Sequence, residues 1–552
     1  MKKKIVSLML VGTIIFSALA GCGKNEEKES VNAKESTTQT SETTASKESE
    51  STEVSTEQEK ATVSYPMEGN VKLTVGIKGN ANISAVCAGV ADTAFSKAWA
   101  EATGVEIEFV EVPAKDMNLL LTGADMPDII ACYNPYKDYP GGITAAIEDN
   151  VIVPITDYVE EYAPDYKAWL DSEPMSKNMW VGDELAGFAK GLEGGILSTG
   201  SGMVIRQDWL DDLGLEIPTN ADELYNVLKA FKEEKGAEVP LSTQSSYVFT
   251  QLAQNGMITS SFGLVNANYY VTDGEIEAGF IQEEYRDVLE YLHKLYEEKL
   301  LDNNFAAVDA TIEKANLTSG KSGMGVLAIA SGVSPVVEAM KDDPSFKLSG
   351  VAPLQKPDGS VSYFTPYNWR SLTEGAFITS ACDNIEAAVQ FLNYGYTEEG
   401  KRLFNFGIEG VSWEMKDGVP TYTETVTNNP DMTKPQAVAY YARTLIGGPF
   451  IGMEEYMRQY NSGETENQCM QAWTQSEAED HVIPTLVMTG DMATEFSTYK
   501  TDLDTYVKEM FVKFVNGTES LDKWDAYVEQ CKKLKVDRIV EIYQHFWDEQ
   551  MK

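Results

Sequence analysis

The 552-residue chain carries 44 Lys and Arg against 86 Asp and Glu, a formal net charge of −42. Such a field repels nucleic acid and anionic lipid, and it disfavours polyanionic ligands unless local Arg or Lys residues override it. With Cys22 set aside, Cys87, Cys132, Cys382, Cys469 and Cys531 are widely scattered and form no CxxC pair. They are no disulfide framework and no redox or zinc motif, and they read as buried thiols.

From the N-terminus, Met1-Lys2-Lys3-Lys4 is a basic leader, and Ile5 to Leu19 is an apolar run of signal-peptide length, too short for a bilayer span. Leu19-Ala20-Gly21-Cys22 resembles a bacterial lipobox, which would make 1–21 a lipoprotein signal peptide and Cys22 the lipid attachment site. An ordinary secretory signal with an incidental Cys is the alternative. Residues 23–64 are rich in Ser, Thr, Glu and Lys and contain no aromatic residue. They cannot bury enough apolar surface to offset their ordering entropy, so 22–65 reads as an anchor followed by a disordered leash. No later stretch has enough consecutive apolar residues to span a bilayer.

Val71, Leu73, Val75 and Ile77 alternate as a strand leading to Gly79-Asn80. A helix from Asp92, with Phe95, Ala98, Trp99 and Ala102 inward, stops at Gly104. Val105, Ile107 and Phe109 form a second strand, Met117–Leu121 a short helix, and 128–132 a third, buried strand. This β-α-β-α-β order predicts parallel strands, with any ligand lying off their carboxyl ends, here Gly79-Asn80 and Tyr133-Asn134. Further helices are expected after a capping box of Thr219 and Asp222, over Arg286–Lys299, and before Gly395. Three more follow from the apolar spacing between Leu503 and Phe546.

Chemistry is sparse. His293, His481 and His545 lack partners at ligand spacing, GxSxG is absent, and Gly320-Lys321-Ser322 has Ala315 where a phosphate loop needs Gly. No EF-hand loop is present, so neither metal nor cofactor is expected. What stands out is aromatic residues beside polar ones: Tyr133-Asn134-Pro135-Tyr136, Tyr363-Phe364, Tyr367-Asn368-Trp369-Arg370, Trp413 and Tyr440-Tyr441. A sugar offers a flat C–H face to a ring and hydroxyls to surrounding donors and acceptors, so such loops suit carbohydrate. Core packing is the competing explanation for each ring, least so for Trp369 in the polar segment TPYNWRS (365–371).

The lipobox and leash, TGADMPDII (122–130), RQDWLDDLGLEIPTNADEL (206–224), LTSGKSGMGV (317–326), FLNYGYTEEGKRLFNFGIEGVSW (391–413) and the C-terminal helices together resemble extracellular solute-binding proteins of carbohydrate ABC transporters. The large oligosaccharide-binding lipoproteins of Gram-positive bacteria are the most similar type. The resemblance implies an α/β, periplasmic-binding-protein-like fold of two α/β lobes around a cleft, joined by crossing hinge segments. Lobe one would be 66–190 plus 372–435, and lobe two 200–370 plus 440–552. It implies a monomer on the outer face of the cytoplasmic membrane, held by its lipid, passing an oligosaccharide to permease subunits with no catalysis.

Trp369, Tyr133, Trp413 and Tyr247 would stack on sugar rings. Asn134, Asn80, Arg370 and Arg206 would bind hydroxyls or a uronate carboxylate, although Arg206 could equally pair with Asp208. In DELAGFAKG (183–191), Phe188 stands where relatives often carry Tyr, supplying a ring without a hydroxyl. A peptide receptor of the same architecture and a surface polysaccharide-active enzyme or adhesin are the alternatives.

Overall fold

Alternating burial along Lys72–Lys78 starts the first sheet, with Leu73, Val75 and Ile77 at most 2% exposed. In this computed structural model the described residues are 63–552 apart from Ala124, 361–370 and Glu477. The leader, Cys22 and all but the end of the expected leash lie outside them, as do Trp369 and Arg370.

Nine strands carry two sheets: β1 (Lys72–Lys78), β2 (Glu106–Val112), β3 (Ile129–Tyr133), β4 (Phe188–Leu192), β5 (Ser201–Arg206), β6 (Met324–Ala328), β7 (Leu348–Val351), β8 (Ser371–Ile378) and β9 (Phe450–Gly452). The first sheet has the order β9-β4-β8-β3-β1-β2. As predicted, β1 pairs in parallel with β2 (Val75 opposite Phe109) and with β3. The crossover helix Ala94–Thr103 explains the direction. Thr93 caps its first turn, Gly104 ends it in the left-handed region, and Phe95 and Trp99 are buried against Phe391 and Phe404. β8 runs antiparallel between β3 and β4, and β9 lies parallel to β4. So segment 440–552, expected wholly in lobe two, contributes a strand to the first sheet. Order also begins before residue 66: Tyr65 donates to the Gln390 carbonyl at 2.6 Å and packs edge-on against Tyr394.

The second sheet is antiparallel, order β6-β5-β7. Helix Glu464–Trp473 lies directly on it because Gly202 and Gly350 leave no Cβ in the way. A Cβ at Gly202 would sit 2.3 Å from the Trp473 ring, and one at Gly350 would sit 2.6 Å from the Cys469 Cα. The Trp473 indole then donates to the Met203 carbonyl at 2.8 Å. Behind the sheet, helices Ala221–Glu233, Glu283–Glu297 and Gly490–Val515 bury a large apolar core. The first of these is capped by Asn220, which accepts from the Glu223 N–H, while Glu223 reaches back to Thr219. The predicted pairing of Thr219 with Asp222 is thus displaced by one residue. Glu313, on helix Ala310–Thr318, is fully buried, accepts from the Val326 N–H of β6 at 3.0 Å, and is pushed up to about 7, chiefly by burial.

The cores follow this division. One apolar cluster surrounds the first sheet, another fills the helical side of the second, and smaller ones sit on its other face and around the hairpin Trp413–Lys416/Val419–Tyr422. The five described cysteines are free, and four are buried. Among the described residues no helix is long and apolar enough to cross a membrane.

Candidate functional site

The parallel strands β1 and β3 end on one side of the first sheet. Past β1, Asn80 caps the short helix Ala81–Ser84, accepting from the Asn82 N–H at 2.9 Å. A cavity of about 500 Å3 opens there, lined by Lys78, Gly79, Asn80 and Cys132 from the first sheet. Ile329 and Ala330, just after β6, line it from the second body, with Arg443, Tyr460 and Asn461 completing the wall.

Its wall is charged against the trend of the chain. Lys78 Nζ lies 2.5 Å from Glu374 Oε1, each about a third exposed. Burial pulls the Lys78 ammonium down, but the hydrogen bond and charge of Glu374 outweigh it and leave it above its usual value. Arg443 is 6% exposed, donates to Asn405 Oδ1 at 2.9 Å, and lies over the Tyr456 ring (3.7 Å) and near the Phe450 ring (5.1 Å). Lys190 Nζ is 5.9 Å from that same Phe450 ring. Burial holds Lys190 down to about 8, with Arg443 adding to the effect and Glu374 opposing it. Burial likewise pushes the Cys132 thiol up to about 12, with Glu374 adding to it. The segment after Arg443 closes on this cluster through Gly447: a Cβ there would lie 2.5 Å from Glu374 Oε1 and 2.8 Å from the Cys132 Cα.

A second cavity, about 900 Å3, also takes walls from both bodies. Tyr136, Gly142 and Thr144 face Asn255, Asn266, Asn268 and Tyr269, with residues 481–488, Ser497 and Tyr543 completing it. Tyr269 packs against Tyr543 at 5.0 Å, and Lys500 sits 5.5 Å from the Tyr269 ring. Amides, hydroxyls and rings dominate here. Among the described residues no group of three His, Cys, Asp or Glu is placed to hold a metal.

Of the residues singled out in the sequence, Asn80 lines the first cavity. Asn134 donates to Thr373 Oγ1 at 3.1 Å, and its buried Oδ1 accepts from no donor among the described residues. Tyr247 is half-buried against the second body's core. Four expectations are corrected. Phe188 is fully buried in β4 and stacks on Tyr166 at 4.5 Å, so its ring belongs to the core. Trp413 is buried in the hairpin, its indole donating to the Gly407 carbonyl. The Tyr133 ring is 2% exposed and its hydroxyl donates to Asn118. Arg206 pairs with Asp208 at 2.6 and 2.8 Å between the rings of Trp209 and Phe346, the structural alternative already open to it.

Sequence reasoning missed the basic cluster, whose members are more than 100 residues apart from one another. It also missed the second cavity, although Asn266-Ala267-Asn268-Tyr269-Tyr270 carries the same juxtaposition of amides and rings.

Comparison with known proteins fits this geometry. Residues 89–402 match the model of the family described as bacterial extracellular solute-binding protein. Lipoprotein LipO of Bacillus subtilis is 28% identical over 61% of this chain and 66% of its own length. The polygalacturonan/rhamnogalacturonan-binding protein YtcQ of the same organism is 24% identical over 56% of this chain and 61% of its own. The chain therefore spans just under two thirds of those two relatives. The fructooligosaccharide ABC transporter substrate-binding protein FusA of Streptococcus pneumoniae is 19% identical over 81% and 85% of the two chains. In fold, the crystal structure of an extracellular solute-binding protein from Bifidobacterium longum subsp. infantis superposes with a TM-score of 0.67 at 21% identity, covering 88% of this chain and 99% of that one. The two α/β bodies with cavities between them have the periplasmic-binding-protein-like architecture, and the chain belongs to the bacterial extracellular solute-binding proteins.

Proposed function

We propose that the chain is the capture subunit of a carbohydrate ABC importer, holding an oligosaccharide between its two bodies and delivering it to membrane permeases. The observation that carries this reading is that both cavities are walled by both bodies. A ligand that touches both stabilises the closed arrangement only by its extra contacts there, and nothing covalent is required. The names of FusA and YtcQ point to glycans as the solute class. LipO is a lipoprotein, in keeping with a tether through Cys22 on the outer face of the cytoplasmic membrane.

In this reading lobe one is the body around the first sheet and lobe two the body around the second, with one crossing near 193–200. Asn80 supplies a polar contact from β1. Trp369 and Arg370, named from the sequence, would supply a ring and a guanidinium to the glycan.

A thermal-shift screen of the purified chain against oligosaccharides and short peptides tests the proposal, since a ligand bound to the native state alone raises Tm by mass action. A shift with glycans and intact glycan recovered afterwards is expected. A shift with peptides alone, or cleavage of the glycan, would overturn it.

A further inference from the structure

We propose that the cavity at the ends of β1 and β3 holds the carboxylate of an acidic sugar, so that the captured oligosaccharide contains uronic acid. This inference rests on the glycan-receptor reading above.

The charge is the first argument. In a chain of net charge −42, two cations, Lys78 and Arg443, line one cavity, and a third, Lys190, lies behind its wall on the Phe450 ring that Arg443 also approaches. Glu374 is already engaged by Lys78 at 2.5 Å. Lys190 and Arg443 have no carboxylate within 4 Å among the described residues, leaving the cluster with a surplus of positive charge. Elsewhere on this surface the cations are mostly paired, as Lys167 is with Asp171, whereas here only Lys78 is.

The second argument is the state of Arg443. A guanidinium 6% exposed normally finds an acid, because burying an unpaired charge costs far more than burying a paired one. Here its Nη1 has an amide oxygen, two ring faces flank it, and Nε and Nη2 have no acceptor among the described residues. Two adjacent N–H donors in one plane form the fork that fits a carboxylate. Lys190 beside it, held down by burial, adds a point charge that an anionic neighbour would favour.

The third argument is position. The cavity is reached from both bodies, through Lys78, Asn80 and Arg443 on one side and Ile329 and Ala330 on the other. An acid bound there is part of the transported solute and not a fixed structural ion. Asn80 offers an amide for the neighbouring hydroxyls.

The test is calorimetric titration of the purified chain with trisaccharides of galacturonate, mannuronate and glucuronate, each beside its neutral counterpart. The inference expects one acidic trisaccharide to bind at least tenfold tighter than its neutral counterpart, with affinity falling as salt rises. In Lys190→Gln that preference should fall at least tenfold. Arg443→Gln should abolish it, with circular dichroism reporting whether that variant is folded. Neutral trisaccharides binding as well as acidic ones, or an undiminished preference in folded Lys190→Gln, would overturn the inference and leave the glycan-receptor reading in place. Binding of none of the six would overturn the inference, and the glycan-receptor reading would then be decided by the wider thermal-shift screen.

Discussion

The two bodies reach the cavities by different means. In the first, β1 and β3 run the same way, so one edge of the sheet gathers their carboxyl ends and delivers Lys78–Asn80 and Cys132 to the same cavity. In the second, β5 alternates with β6 and β7, so no edge collects strand ends of one kind. Its contribution comes instead from Ile329–Ala330 after β6, from the connections around 255–268 and 481–489, and from the first turns of helix Gly490–Val515. A parallel sheet positions a site through topology. An antiparallel one positions it through insertions, which can change without disturbing the sheet.

The largest expected effect tests whether the bodies are separate in energy as well as in shape. Trp473→Ala removes the ring that seats a helix on Gly202 and should cost about 3–5 kcal/mol. Phe188→Ala does the same to the first core, at a similar cost. In urea denaturation followed by tryptophan fluorescence, each variant is expected to lower a different transition. Both variants moving one shared transition would break the comparison.

A smaller effect, confined to the second body, comes from Glu313. Burial raises its carboxyl in the folded state to about 7, above the ordinary value of 4.5, so the folded state holds the proton more tightly. Its contribution is fully present below pH 4.5 and is lost as pH rises through about 7, on the order of 3 kcal/mol. Stability measured between pH 4.5 and 7.5 should therefore fall with pH more steeply in the native chain than in Glu313→Gln. Equal slopes would remove Glu313 as the cause.

The smallest concerns the strand end that topology places best. Asn80→Ala loses the cap, roughly 1 kcal/mol, together with any hydrogen bond to the glycan. Asn80→Ser keeps a capping oxygen but not the amide. Stability restored in Asn80→Ser with glycan affinity still reduced separates the two roles. Affinity restored with stability would make Asn80 a cap alone.

The same contrast governs what the sequence discloses. The first sheet was readable because Val71 to Ile77, Val105 to Phe109 and 128–132 show local alternation or apolar runs, and Thr93 and Gly104 mark the crossover helix between them. The long C-terminal helices were readable from spacing for the same reason. Aromatic residues were poorer guides. Phe188 lies in FAKGL, a strand buried along nearly all its length, and it was singled out from the resemblance and not from any local pattern. Trp413 opens a hairpin turned by Asp417-Gly418, both at positive φ, a signal that outweighs the neighbouring polar residues. Arg443 looks like any surface arginine in AYYARTL. Its burial depends on Asn405, Phe450 and Tyr456 arriving from separate segments, and no local pattern encodes that.

The strand order carries a consequence for biosynthesis. β3 is a run of five buried residues, and its neighbour β8 lies about 240 residues further along the chain. At a synthesis rate of roughly 5–20 residues per second, the open edge of β3 waits on the order of ten to fifty seconds for its partner. Throughout that interval an apolar, hydrogen-bond-hungry edge is available to any other extended chain. The fold therefore favours a nascent chain kept extended until its middle third has emerged, and the first sheet closes late, around a strand that arrives after its flanks.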